Sequence, residues 1–510
     1  MKSKLPRAAG LLTVMLVLAA CGAGFADASR IGIRPDIGNW PPPWEGATAD
    51  AQAIDFSPVA FDAPRANHCR AGSPVRETVA GIAPRSRAHA RIEPSMPRSD
   101  PAGIARDASA ERAKSAAEGV AESVRPAGIA PSDRALARAA APAAAPTQQQ
   151  HLPAFGAPPR DAMHEAVRAG MVDDNADFGA YLAYRARHPG LVVRERDIGE
   201  RYLLQVSDAQ GRPVHDAEVA LQRAGVAEPV AWMRTDTAGR VWLHPRAFLP
   251  PGDDDGQLGV AVRKHAGQGR ALLQRGQTNS VQVKLDVPQG VQRARLDLVF
   301  MVDATGSMGD EIAKLKASMQ QIAQQIAELP ARPELCFALV AYRDRGDAFL
   351  TRSLDFTDDL RAFQAELARL QAAGGGDMPE ALNEALHEVV HNLAWRADAA
   401  RMVVLVGDAP PHLDYGGPQY DRDMQAALAK GIKVFAVGAS GLDPAGEYVF
   451  RQIAQYTAGR FVFLTYKDPA RPDRGPGTQT PHDVSGYSVD TLDRLVVRLV
   501  GEEMGRLVRG

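Results

Sequence analysis

The chain has 510 residues, with 59 basic and 61 acidic side chains and a formal net charge of −2. That length is ample for two or three domains with sizeable cores, and the even charge balance excludes the basic footprint of a nucleic-acid binder. Three cysteines, Cys21, Cys69 and Cys336, are too few for a disulfide framework.

The first residues read as an export signal: Lys2, Lys4 and Arg7 precede an apolar run, Leu11 to Leu18, too short to span a bilayer as a stable helix. The run ends in Leu18-Ala19-Ala20-Cys21, which resembles the bacterial lipobox. The resemblance implies a signal peptide over 1–21, acylation of Cys21, and, with Gly22 rather than aspartate next, an outer-membrane location. The alternative is cleavage after Ala26-Asp27-Ala28, releasing a secreted protein. No other segment is apolar and long enough to cross a membrane, so the expected anchor is lipid.

Residues 22–156 carry Pro41-Pro42-Pro43, an Arg-rich stretch at Arg85 to Arg91, and an Ala/Pro run from Ala139 to Pro146. Few aromatics and no sustained apolar period leave too little surface to bury against the chain entropy, so a disordered tether is expected. Cys69 falls in it, so a link to Cys336 is not expected, and Cys336 reads as a small buried hydrophobe in Cys336-Phe337-Ala338-Leu339-Val340.

Order is expected from residue 157. Asp161 to Val167 and Phe178 to Tyr184 place apolar residues at helical spacing, and His188-Pro189-Gly190 stops the second, giving two short helices over 157–191. From 192 to 290 the period changes to two: strands are predicted at Tyr202–Val206, Ala217–Leu221, Val241–Leu243, Leu258–Lys264 and Ser280–Leu285, separated by Gly/Asp/Pro turns. Such spacing predicts a small antiparallel sandwich, and its turns resemble those of carboxypeptidase regulatory-like and other immunoglobulin-like modules, which implies a spacer without catalysis. The run Asp253-Asp254-Asp255 is read as a solvated loop rather than a calcium site.

From 291 to 510 buried strands alternate with helices. Apolar runs at Leu296–Val302, Leu335–Tyr342, Met402–Val406, Val434–Val437 and Phe461–Leu464 read as strands covered on both faces. Between them lie helical patterns at Glu311–Leu329, Asp359–Ala372, Pro379–Trp395, Tyr420–Lys430 and Glu447–Thr457, and an amphipathic helix closes the chain over Tyr487–Val508. The alternation predicts a doubly wound α/β fold with a mostly parallel sheet, whose ligands bind at the carboxyl ends of the strands.

Asp303-Ala304-Thr305-Gly306-Ser307 sits at such an end, directly after Leu298 to Val302. A carboxylate and two hydroxyls at alternate positions supply hard oxygen ligands, suited to Mg²⁺, Mn²⁺ or Ca²⁺ rather than zinc. The motif resembles D-x-[ST]-x-S, the metal-ion-dependent adhesion site of von Willebrand factor A domains. Two further loops match the ones that complete the site in that family: Gly374-Gly375-Gly376-Asp377-Met378-Pro379-Glu380, with Asp377 where a threonine is common, and Val406-Gly407-Asp408. The resemblance implies Asp303, Thr305, Ser307, Asp377 and Asp408 as metal ligands, with an open position for water or a carboxylate from a protein partner. Gly376 and His412 are expected to line the cleft. Taken one at a time, Asp303, Ser307 and Asp408 also fit ordinary capping roles; their joint placement at strand ends favours the cation.

Other motifs in the chain carry weaker expectations. The GGGD loop lacks the Gly-Lys-Ser/Thr ending of a phosphate loop, so no nucleotide is expected. Arg345-Gly346-Asp347 spells an adhesion tripeptide that short sequences reach by chance. His387-Glu388-Val389-Val390-His391 matches H-E-x-x-H, the zinc-hydrolase signature, but no extended form follows, and Asp398 and Asp414 are the third ligands considered. The expectation is therefore a non-enzymatic, envelope-anchored protein that binds a protein partner through Mg²⁺. The alternatives are a structural envelope protein whose ion only stabilises the fold and, behind it, a zinc hydrolase.

Overall fold

The computed structural model describes Cys69, residues 74–79 and residues 166–509 other than 224–225, 227–228, 250–251, 253–255, 278, 288–293, 331 and 377. The export signal, Cys21, most of the 22–156 segment and the Asp253-Asp254-Asp255 run lie outside the described residues.

In chain order the first elements are β1 (Val75–Thr78), β2 (Arg168–Val172), α1 (Phe178–Arg187), β3 (Tyr202–Asp208), β4 (Glu218–Arg223), β5 (Pro229–Arg234), β6 (Arg240–Leu243), the single turn α2 (Pro245–Phe248), β7 (Gln257–Lys264), β8 (Gly267–Gln274) and β9 (Ser280–Leu285). There follow β10 (Arg295–Asp303), α3 (Gly309–Ala327), β11 (Glu334–Tyr342), β12 (Thr351–Thr357), α4 (Leu360–Arg369), α5 (Leu382–His387), β13 (Ala399–Gly407), α6 (Tyr420–Ala429), β14 (Ile432–Gly438), α7 (Pro444–Tyr456), β15 (Phe461–Leu464), β16 (Asp490–Thr491) and α8 (Leu492–Arg509).

Nine strands form one large sheet in the order β1-β12-β11-β10-β13-β14-β15-β2-β16. The central five, β11, β10, β13, β14 and β15, run parallel, and both edges are finished by antiparallel pairings. The unbroken apolar run of β10 has a simple cause. Leu296, Leu298, Phe300 and Val302 enter the core under α3 and α8, while Val299 and Met301 enter the core under α5 and α7. Both faces are covered, so neither needs polar residues. Ile312, Leu315, Met319 and Ile322 of α3 meet Leu492, Leu495, Val496 and Leu499 of α8 in that first core.

The edges depart from the sequence expectation. Within the stretch read as tether, Val75–Thr78 is an ordered strand paired with Thr351–Leu354 of β12, a strand the periodicity did not signal. Cys69 and Cys336 are joined by a disulfide with their Cα atoms 5.9 Å apart, correcting the reading of Cys336 as a lone hydrophobe. The strand brings its neighbour Cys69 to the end of β11, a closeness that composition cannot report. Of the two helices predicted in 157–191, the second is α1. Residues 161–165 of the first lie outside the described residues, and Arg168–Val172 beyond it is the strand β2, which closes the sheet against β15.

Residues 202–285 form a three-stranded sheet, β6-β3-β9, and a four-stranded one, β5-β4-β7-β8. Leu204, Val206, Val241 and Val283 of the first share a buried core with Val219, Leu221, Val260 and Leu273 of the second. The strands β5 and β8 were not anticipated, and β9 pairs with β3 in parallel rather than antiparallel register. The same core takes in Tyr181 and Tyr184 of α1 together with Met424 and Leu428 of α6 and Tyr448 and Tyr456 of α7. The small sheets thus bury one flank on the helices of the large one.

Candidate metal centre

Strand β10 delivers Asp303 to the carboxyl edge of the sheet, where it is wholly buried. Its Oδ1 accepts hydrogen bonds from Thr305 N at 2.9 Å and Thr305 Oγ1 at 2.7 Å, and Thr305 Oγ1 lies 3.0 Å from Ser307 Oγ. The turn is therefore folded on its own carboxylate. Asp303 Oδ2 has no hydrogen-bond partner among the described residues, and neither do Asp408 Oδ1 at the end of β13 and Glu380 Oε2, both also buried. Unpartnered carboxylate oxygens inside a protein are costly unless a cation takes them.

Electrostatics point the same way. Burial and then the neighbouring Asp408 charge raise the Asp303 carboxyl above its ordinary range. Asp408 is raised by burial, against the stabilising Ser307 hydroxyl and with the Glu311 charge adding to the shift. Glu380 is pushed up to about 9 by burial and then by the fields of Asp303, Asp344, Asp408 and Asp347. Like charges crowded in a desolvated place favour protonation, or a metal ion in its stead. Hard oxygens with raised proton affinity fit Mg²⁺, Mn²⁺ or Ca²⁺, and Asp303, Thr305, Ser307, Asp408 and Glu380 are the residues that would hold it.

Hydrogen bonds tie the contributing loops together. Gly306 N donates to Gly374 O at 2.9 Å, Ala373 N to Ala304 O at 3.1 Å, and Ala304 N to Tyr342 O at 2.9 Å. Gly374 and Gly375 both have positive φ, at 76° and 65°, and a Cβ on Gly375 would stand 2.8 Å from Glu380 Oε1. These glycines let the loop lie against Thr305 and Glu380. Gly376 is exposed with open space where a Cβ would be, and Ser307 is exposed as well. Asp377 lies outside the described residues.

The structure adds two residues to those the motif named. Glu380 was read as part of the next helix; its backbone bridges the third loop, donating to Pro410 O at 3.0 Å and accepting from His412 N at 3.2 Å, while its side chain is buried with the aspartates. The E of the GGGD-x-PE stretch was the available signal. Asp347, from the Arg345-Gly346-Asp347 tripeptide, props the glycine loop: its Oδ2 accepts from Gly375 N at 2.8 Å and Asp344 N at 3.1 Å. Arg345 stacks over Tyr415, its guanidinium carbon 3.6 Å from the ring centroid. Both ends of the tripeptide are thus engaged within the fold. His412 is buried on the adjoining wall, stacked on Tyr415 at 3.7 Å between centroids, with Nδ1 3.0 Å from Asp414 Oδ1 and Nε2 3.6 Å from Asp344 Oδ1.

The helix predicted over Pro379–Trp395 is α5 followed by a π-turn at Glu388–Asn392. Glu388 is buried, with Oε1 accepting from Ser353 Oγ at 2.8 Å and Arg76 at 3.0 Å and Oε2 from Asn392 at 2.6 Å. Neither Asp398 nor Asp414 approaches the histidines; Asp398 pairs with Lys264 and Asp414 with His412.

Residues 297–412, which hold the whole candidate site, match the family model of the von Willebrand factor A domain. That stretch runs from β10 to the loop after β13, and this part of the large mixed sheet resembles such a domain. Over 123 residues, 24% of this chain, it is 37% identical to an ariadne-like RING finger protein of Acanthamoeba polyphaga mimivirus, covering 12% of that protein. Over 95 residues, 19% of the chain, it is 35% identical to human hemicentin-1, covering 2% of it. A solved von Willebrand factor type A structure from Catenulispora acidiphila aligns with 58% of this chain and 51% of its own at 14% identity and a TM-score of 0.30. The chain therefore spans only a small part of the curated relatives it matches.

Proposed function

We propose that this protein binds a protein partner through a divalent cation, Mg²⁺ first among the candidates, held at the carboxyl edge of its von Willebrand factor A domain. The observation that carries this reading is the set of three buried carboxylates, Asp303, Asp408 and Glu380, each with an unpartnered oxygen, beside the hydroxyls of Thr305 and Ser307. The exposed mouth at Ser307 and Gly376 gives a partner's carboxylate access to the ion. The role proposed for this site is adhesion or assembly rather than catalysis.

The place of action is the bacterial envelope, with a lipid on Cys21 and the folded part held off the membrane by the preceding segment; release as a secreted protein is the other form. The Cys69–Cys336 disulfide supports an oxidising compartment outside the cytoplasm.

Titration calorimetry with Mg²⁺ and Mn²⁺ tests the site: binding is expected in the wild type and absent in Asp303→Ala, and equal binding in both removes the proposal. A pull-down from envelope extract with and without chelator separates adhesion from a purely fold-stabilising ion. Partners that survive chelation favour the latter.

A further inference from the structure

The π-turn that follows α5 stacks His387 on His391 with 4.4 Å between ring centroids. Both rings face one atom of α6: Asp423 Oδ1 lies 3.2 Å from His387 Nδ1 and 2.9 Å from His391 Nε2. Asp423 is only 4% exposed, and its other oxygen has no hydrogen-bond partner among the described residues. The three donor groups lie within 4.8 Å of one another. Around a tetrahedral zinc ion with bonds of about 2.0–2.1 Å, neighbouring donor atoms stand roughly 3.3 Å apart. The two His–Asp spacings are already close to that edge.

Two imidazoles and one carboxylate suit zinc and its first-row neighbours rather than Mg²⁺, which prefers an all-oxygen shell. We infer that His387, His391 and Asp423 form a second metal site, distinct in chemistry and place from the Asp303 cluster, that takes a zinc-class divalent ion. Coordination requires each of the two facing nitrogens to be free of a proton. Both histidine side chains are 36% exposed, which leaves room for water as a fourth ligand.

The ion is not set up for hydrolysis. Glu388, the base of H-E-x-x-H enzymes, is committed to Ser353 and Arg76 on other elements and to Asn392 of its own turn. What the site joins is α5 to α6. The two helices are already linked near their starts, where Tyr420 N donates to Asn383 Oδ1 at 2.8 Å. An ion at His387, His391 and Asp423 adds a second fastening further along both, and braces the helix that emerges from the Glu380 loop.

The test uses the full chain without a histidine tag, in excess Mg²⁺, titrated with Zn²⁺ by calorimetry, with bound zinc measured after dialysis. One zinc per chain is expected in the wild type, weakened at least about tenfold in His391→Ala and in Asp423→Asn, and retained in Asp303→Ala. A zinc-free wild type, or zinc binding unchanged in His391→Ala, overturns the site. Loss of zinc in Asp303→Ala also overturns it, because the ion then belongs to the oxygen cluster. Should Asp423→Asn fail to fold, His387→Gln, altering a half-exposed ring, gives the same reading.

Discussion

Arg401 donates from Nη1 to Asp216 Oδ1 at 2.8 Å and from Nη2 to Asp216 Oδ2 at 3.2 Å, a forked ion pair with both residues buried. It joins the turn before β4 to the central strand β13, so the small sheets and the large one meet over a charge as well as a shared apolar core. Arg401, Lys264 and Arg234 overcome burial and hold the Asp216 carboxyl well below its usual range. Because the folded pKa is depressed, the stability it contributes is present above the unfolded value of about 3.9 and is lost as pH falls toward the folded one. Asp216 has φ of 56°, which asparagine tolerates, so Asp216→Asn removes charge without backbone strain. Chemical denaturation at pH 7 is expected to show a loss of about 3–5 kcal/mol, with the gap from wild type narrowing below pH 4.

The raised carboxyls of the candidate metal centre give the opposite pH slope. Glu380, at about 9 in the fold against about 4.3 unfolded, contributes stability below the unfolded value that is lost as pH rises toward the folded one. Asp303 and Asp408 act in the same direction. Scanning calorimetry in chelator is expected to show Tm falling between pH 5 and pH 9, and saturating Mg²⁺ to flatten that fall. A chelated protein equally stable across the range would mean that these groups do not share a buried field.

Gly375→Ala places a methyl group 2.8 Å from Glu380 Oε1 at a φ of 65°. The left-handed backbone alone costs an L-residue about 1–2 kcal/mol, and the loop must withdraw from Thr305. Mg²⁺ affinity by calorimetry is expected to drop about tenfold or more, equivalent to about 1.4 kcal/mol. Gly376→Ala, at a position with open space, is the control expected to bind as wild type.

Reduction of the Cys69–Cys336 disulfide releases the segment that places β1 on the sheet edge. Hydrogen exchange at Val75–Thr78 is expected to accelerate in reductant and in Cys69→Ser, while the central strands stay protected. The cross-link is worth roughly 2–5 kcal/mol, read as a lower midpoint in urea for the reduced protein.

Much of the α/β unit was legible because its strands are buried on both faces and so appear as unbroken apolar runs. Phe461–Leu464 was placed to the residue, and the strand leading to Asp303 nearly so. The edges were not. Thr351–Thr357 mixes threonine, arginine and aspartate because its outer neighbour is the short β1 rather than a helix-covered strand. The Asp303 turn and the glycine loop were legible as motifs, since their residues are consecutive. Glu380 belongs to the GGGD-x-PE stretch, but its burial among the aspartates depends on packing between loops far apart in sequence and is not legible from the motif.

By itself the sequence determined the alternation of strand and helix, the carboxyl edge where Asp303 and Asp408 fall, and the oxygen character of the site, all consequences of period and spacing along the chain. Only the tertiary structure decided which distant groups meet there. It buried Glu380 with the aspartates, set Asp347 under the glycine loop, joined Cys69 to Cys336, and set Asp423 against two histidines of another element. The physical reason is range: side-chain period is a property of neighbours, whereas the convergence of charges depends on desolvation and packing between elements far apart in sequence.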